Sequence, residues 1–263
     1  ALLYTVLFAC ATQYWHYSKT FWAEPYLASF LIIAWYLVIV KRTTGAQIVA
    51  GLLLGFGFLM KYPFVLTIIP FGLYLLYEKR MRDTIAFSVP LLLSFCAVLF
   101  LNYYLTNSLF QFNQIDAVSF VNPLPGMLRW LFDPTFGLIV FAPVLIFALF
   151  GIRNFWKANN NKTQCIVAAA VIIPYFLFWA AYIVSQDGAG GYSARYLIPL
   201  LPFIVIFTSF SNAEHSSVPL SRYVFYVLFA ISVIINILAA FAYPAFTGYS
   251  IIASFEKIIG FMF

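Results

Sequence analysis

Apolar runs of about 16–22 residues alternate with short polar breaks along almost the whole chain, and about 20 helical residues cover the roughly 30 Å of a bilayer's hydrocarbon core. Backbone groups in hydrocarbon find partners only inside their own segment, so helix is the expected conformation of each run. The pattern predicts spans at 1–14 (a truncated first helix), 25–40, 45–61, 63–77, 84–105, 136–152, 164–183, 197–210 and 223–242. The expected fold is all-α: one polytopic transmembrane bundle of eight to nine spans over 1–263. Ala1 stands inside an apolar run without Met or a leader. The chain is therefore expected to be a fragment that lacks an upstream helix and the first outer loop.

Composition supports that class. Hydrophobic residues make up 64% and charged residues 8%, against about 25% charged in a soluble domain. Many of the aromatic residues sit near run ends, where interfacial belts form. The formal charge of +6 matters less than its distribution. Lys41, Arg42, Lys79, Arg80, Arg82, Arg153, Lys157, Lys162 and Arg222 fall on one side, and Lys19, Lys61, Arg129, Arg195 and Lys257 on the other. The richer side is expected to be cytoplasmic, in a multi-pass protein of a prokaryotic plasma membrane. Basic residues confined to loops between spans do not suggest nucleic acid. Cys10, Cys96 and Cys165 are isolated in apolar runs, without disulfide or metal spacing, and read as small core residues. Gly51 and Gly55 have the spacing of a helix-packing pair.

The two sides differ in character. Breaks such as 41–44 and 158–162 look like plain connectors, whereas 15–24, 106–135 and 184–196 are longer and rich in aromatics, Gly and Pro. A site, if present, faces outward. Glu24 stands before Pro25 at a helix start, as a cap or as a functional carboxylate. Lys61 ends one span just before Pro63 opens the next, as a snorkelling lysine or as a partner for phosphate. Arg195, with Tyr196, is delivered to a helix mouth by the glycine-rich 188–194 loop, and Pro199 and Pro202 disturb the first turns beyond it. Arginine binds phosphate bidentately and stays charged; pairing with Asp187 is the plain alternative. Asp116, Arg129 and Asp133 lie in the long outer loop, where Asp133 reads as a turn or cap residue and 127–132 as an aromatic-rich interfacial piece. His16 lacks a second His or Cys nearby and makes a weak metal site, and His215 reads as a solvated loop residue.

Four stretches together resemble the GT-C superfamily of membrane glycosyltransferases, in particular its protein-mannosyltransferase-like and aminoarabinose-transferase-like branch. They are Phe21-Trp-Ala-Glu24-Pro-Tyr-Leu-Ala, Gly55-Phe-Gly-Phe-Leu-Met-Lys61-Tyr62, Asp133-Pro-Thr-Phe-Gly137-Leu-Ile-Val-Phe-Ala-Pro143 and Gly190-Gly-Tyr-Ser-Ala-Arg195-Tyr196-Leu-Ile-Pro199. The resemblance implies transfer of a sugar from a polyprenyl-phosphate donor to a protein, lipid or glycan acceptor at the outer face. It assigns Glu24 to the catalytic set, matching the family's second acidic position, and Lys61, Tyr62, Arg129, Arg195 and Tyr196 to the lipid phosphate and substrate. The family's catalytic Asp sits in a first outer loop that would precede Ala1. The resemblance implies no defined cofactor and leaves a divalent metal ion open. The competing expectation is a multi-pass transporter or flippase for an anionic or lipid-linked substrate. Such a protein places charges near mid-membrane, whereas these stay at the ends of the runs.

Overall fold

A computed structural model describes residues 2–19, 21–109, 122–158, 162–182, 193–215 and 218–242, with residues 241 and 242 described by backbone alone. Asp116, Asp187, Tyr192, Lys257 and the glycines of 188–191 lie outside the described residues. The elements are helical throughout: α1 (Leu2–Cys10), α2 (Tyr14–Ser18), α3 (Ala23–Trp35), α4 (Thr44–Met60), α5 (Val65–Tyr77), α6 (Met81–Thr106), α7 (Pro123–Phe132), α8 (Leu138–Phe141), α9 (Ala148–Lys157), α10 (Lys162–Ala181), α11 (Leu201–Ser209) and α12 (Pro219–Ala242). A π-helical stretch, Tyr36–Lys41, prolongs α3, and 3-10 turns at Tyr62–Phe64, Pro143–Phe147 and Arg195–Leu200 lead into α5, α9 and α11.

Five helices are long and apolar enough to cross a bilayer: Ala23–Lys41, Met81–Thr106, Lys162–Ala181, Arg195–His215 and Pro219–Ala240. Thr44–Met60 and Tyr62–Tyr77 are apolar but shorter. The chain is an integral membrane protein, with five such helices among the described residues against the eight to nine spans expected. The expected 1–14 span is a nine-residue helix followed by bends and the short α2. The expected 136–152 span is not one helix but α8, a 3-10 turn and α9. Pro143 lacks the N–H that a continuing helix needs, and Ala142 before it leaves helical geometry at φ −141°, ψ 67°. The loose ends find partners on α12. The Asn236 amide donates to the Phe141 carbonyl at 2.8 Å, and the Ser232 hydroxyl accepts from the Val144 N–H at 3.1 Å. By contrast Pro70, Pro90 and Pro174 stay inside α5, α6 and α10.

Small residues set the closest approaches. A Cβ on Gly51 would overlap the Phe87 carbonyl and one on Gly55 the Ser94 hydroxyl, so the glycine pair seats α4 directly on α6, as its spacing suggests. Gly126 brings α7 against the last turn of α10 in the same way, at the Ala180 carbonyl. Of the cysteines, Cys165 is buried, Cys10 half-buried and Cys96 exposed, so Cys96 is no core residue.

The elements meet at two polar ends. At one, the breaks expected to be plain connectors form a bonded cluster. Arg80 pairs with Asp83 at 2.7 Å, Thr44 donates to Asp83 at 2.8 Å, and Arg42 lies 3.7 Å from Glu78 while donating to the Tyr74 hydroxyl at 2.6 Å. At the other end lie the start of α3, the end of α4, the end of α10 and the 195–200 turn. That end carries the candidate residues.

Candidate functional site

Glu24 is the second residue of α3, where Trp22 rather than Glu24 holds the N-cap position. Its side chain does not cap the helix. Instead Oε1 accepts a hydrogen bond from Lys61 Nζ at 2.6 Å, with Arg195 Nε 3.6 Å from the same oxygen. The carboxylate is 2% exposed, Lys61 17% and Arg195 9%. Lys61 therefore does not snorkel to water; α4 ends at Met60, and the extended backbone at Lys61 turns its side chain across to α3. Arg195 comes from a different element, as the first residue of the 3-10 turn that packs along α3. Two cations thus share one buried carboxylate. Glu24 Oε2 has no hydrogen-bond partner among the described residues, and neither does Arg195 Nε. Two cations against one carboxylate leave the site with net positive charge, which suits an added anion better than a balanced structural bridge.

Aromatic rings wall the cations. Tyr196 stacks on Trp179 with centroids 3.9 Å apart and planes 11° apart. Lys61 Nζ sits 4.0 Å from the Tyr196 centroid and 4.9 Å from that of Trp179. The Arg195 guanidinium lies 4.1 Å from the Trp22 ring and 4.7 Å from that of Tyr196, and it donates to the Tyr196 hydroxyl at 2.9 Å. Each such contact stabilises a desolvated cation by about 0.5–2 kcal/mol, which helps explain how two cations persist here. Trp130 on α7 is fully buried beside Tyr196, at 6.0 Å, and its indole N–H donates to the Trp179 carbonyl at 3.3 Å.

The turn that presents Arg195 is itself anchored. Ser193 has φ 54°, a left-handed conformation uncommon for a residue with a side chain, and it is fully buried. The buried Gln13 amide donates to the Ser193 hydroxyl at 2.8 Å, which donates in turn to the Phe136 carbonyl at 3.3 Å. The Ser193 carbonyl then accepts from the Arg195 N–H at 2.8 Å. Segments distant in sequence thereby fix one short turn.

The structure brings together Glu24, Lys61, Arg195 and Tyr196 of the residues the sequence marks. Tyr62 and Arg129 are held differently. The Tyr62 hydroxyl donates to Asn102 at 3.4 Å, while Arg129 pairs with Asp133 at 3.5 Å and lies 5.5 Å from the Phe136 ring. Asp133 accepts from the Thr135 N–H at 2.8 Å and from the Thr135 hydroxyl, which makes the expected turn. Burial opposes its ionisation, but the bonds from Thr135 and the nearby Arg129 outweigh it and hold the carboxyl below the usual range. His215 is exposed beside Glu214, a solvated residue as expected. His16 is buried instead, with Nδ1 3.2 Å from the Ala239 carbonyl. Sequence reasoning missed Trp22, Trp179, Gln13 and Ser193. The available signals were the tryptophan two places before Glu24 and the aromatic run closing the tenth helix.

Among the described residues no group of three or more His, Cys, Asp or Glu comes together. The single carboxylate between two cations does not fit a divalent metal ion, whose ligands are oxygen-rich and anionic. Comparison with protein-family models, curated proteins and solved structures finds no match for this chain.

Proposed function

We propose that the chain is a glycosyltransferase that moves a sugar from a polyprenyl-phosphate-linked donor to an acceptor hydroxyl at the outer face of the membrane. One observation carries the reading: Lys61 and Arg195 share the Glu24 carboxylate beneath a Trp179–Tyr196 stack at one end of an apolar bundle. In the transfer, the acceptor oxygen bonds to the anomeric carbon as the bond from that carbon to the phosphate oxygen breaks. The electron pair leaves with the lipid phosphate, where charge develops, and the hydroxyl proton goes to a base. Fixed cations at the leaving oxygen stabilise that charge without reorganising at the moment of reaction. Lys61 and Arg195 fill this role. Glu24, with one oxygen engaged by Lys61, is a positioning residue for both cations rather than the base. Flat rings beside the cations offer a stacking surface for the sugar.

The test uses the protein in its full natural length, labelled polyprenyl-phosphate sugar and detergent or proteoliposomes. Arg195→Ala and Lys61→Met should each lower kcat by about a hundredfold or more, the loss typical of removing one oxyanion-stabilising donor. Full transfer by both variants at equal folded protein level would remove these residues from the chemistry. Passage of the labelled donor across the bilayer without transfer of its sugar would replace the reading with that of a transporter.

A further inference from the structure

A second feature lies at the opposite end of the bundle and takes no part in the proposed transfer. Between α5 and α10 runs a cavity of about 340 Å³, lined by Pro70, Leu73 and Tyr77 on one side and Thr163, Ile166 and Ala170 on the other. The lining advances by one helical turn at a time in opposite directions, as expected for neighbouring antiparallel helices. The groove is therefore a slot about two turns, or about 10 Å, long. Its sides are apolar and open outward: Leu73 and Ile166 are exposed on helices that belong to a membrane protein. Its hydroxyls come from Thr163, near the start of α10, from Tyr77 at the end of α5, and from Tyr74, which also lines it. Tyr74 is bonded to the Arg42 guanidinium at 2.6 Å, so the slot runs from hydrocarbon-like walls to a cationic end.

Charge says what stands at that end. The acidic groups there are already matched, Glu78 by Arg42 and Asp83 by Arg80. Lys79 follows the last turn of α5 and Lys162 opens α10, both exposed and without an ion pair among the described residues. A chain-wide slot that opens toward lysines whose neighbouring acids are already neutralised is complementary to one molecule: a chain of methylenes attached to an anion.

We propose that the α5–α10 groove is a binding site for an anionic phospholipid, one acyl chain lying in the slot and the headgroup phosphate meeting Lys79 and Lys162. The site selects by headgroup. Any acyl chain solvates the walls, whereas the uncompensated lysines discriminate anionic from zwitterionic lipid. An elementary charge near an anionic lipid surface favours binding severalfold per lysine.

The proposal is tested on the purified chain by native mass spectrometry and thermal stability in detergent. The probes are phosphatidylglycerol, phosphatidylcholine of the same acyl chains, and inorganic phosphate. Phosphatidylglycerol should bind about tenfold or more tightly than phosphatidylcholine and raise Tm further. The double variant Lys79→Gln/Lys162→Gln changes only exposed side chains and should erase that difference while leaving phosphatidylcholine binding in place. Ala170→Trp should block the slot and weaken both lipids. Equal binding of the two lipids, or a preference that survives in Lys79→Gln/Lys162→Gln, overturns the proposal. So does inorganic phosphate matching the lipid's effect, since the slot is then idle. A concentration-dependent dimer that Ala170→Trp dissociates, with no lipid preference, would assign the groove to a second copy instead.

Discussion

Removing the charge of Glu24 should destabilise the protein more than removing that of Lys61, although the two form one pair. In Glu24→Gln the amide oxygen can still accept from Lys61, but Lys61 and Arg195 are left as two cations with no anion within 4 Å among the residues that now hold them. Stripping one partner from a buried pair costs about 3–5 kcal/mol, because the remaining charge stays desolvated. Lys61→Met leaves Glu24 with Arg195 Nε at 3.6 Å, so its carboxylate keeps a counter-charge, and the expected loss is about 1–2 kcal/mol. The double variant Glu24→Gln/Lys61→Met strands only Arg195, which retains the Trp22 and Tyr196 rings. It should therefore be more stable than Glu24→Gln alone, which requires a coupling larger than the cost of Lys61→Met, about 2–3 kcal/mol in the cycle. Unfolding by sodium dodecyl sulfate in mixed micelles, followed by tryptophan emission, gives the four free energies. Additive losses, or a cost under about 1 kcal/mol for Glu24→Gln, would refute the three-residue arrangement.

Gly126→Ala places a methyl on the Ala180 carbonyl, so α7 must move off α10 at a cost of about 1–3 kcal/mol, with loss of the Trp130–Trp179 contact visible as a red shift of tryptophan emission. Asn236→Leu leaves the Phe141 carbonyl without its side-chain donor in an apolar setting and should cost about 1–3 kcal/mol, whereas the same change at the exposed Ile234 position (Ile234→Leu) should be neutral by the same unfolding assay. His16 gives a pH dependence. Burial first, then Lys19, pushes its pKa down to about 4, with the Ala239 carbonyl opposing, so the folded state prefers the neutral ring. The stabilisation is complete above an unfolded pKa of about 6.5 and is lost as pH falls from there to about 4. Stability of His16→Gln measured across that range should be flatter than that of the parent, and an identical slope would count against the buried neutral histidine.

The membrane class and most long helices are legible in the sequence because hydrocarbon leaves the backbone few alternatives, and apolar run length reports it directly. Glu24, Lys61 and Arg195 are legible for a related reason: a charge at the edge of an apolar run is costly, so it stands out. Their mutual pairing is not, since nothing at positions 24, 61 and 195 announces which cation meets which anion. Trp179 hides among aromatics that an interfacial belt would place at the same height. The failure at 136–152 has a different cause. Pro143 looks no different in sequence from Pro70, Pro90 or Pro174, which remain inside helices. What separates it is that Ser232 and Asn236, far along the chain, hold the backbone groups freed at the break.

That arrangement also bears on how the protein is made. The Phe141 carbonyl and Val144 N–H leave the ribosome before the residues that satisfy them, which lie 95 and 88 positions later. At about 5–20 residues per second, the gap is about 5–20 s. During that interval the 138–147 segment lacks the Ser232 and Asn236 side chains that bond its backbone in the folded protein, and backbone groups short of a partner do not rest in hydrocarbon. The segment must wait in water, in the insertion machinery or against a surrogate, and it enters its final place only with α12. A truncation before Pro219 would therefore strand a segment more than seventy residues upstream.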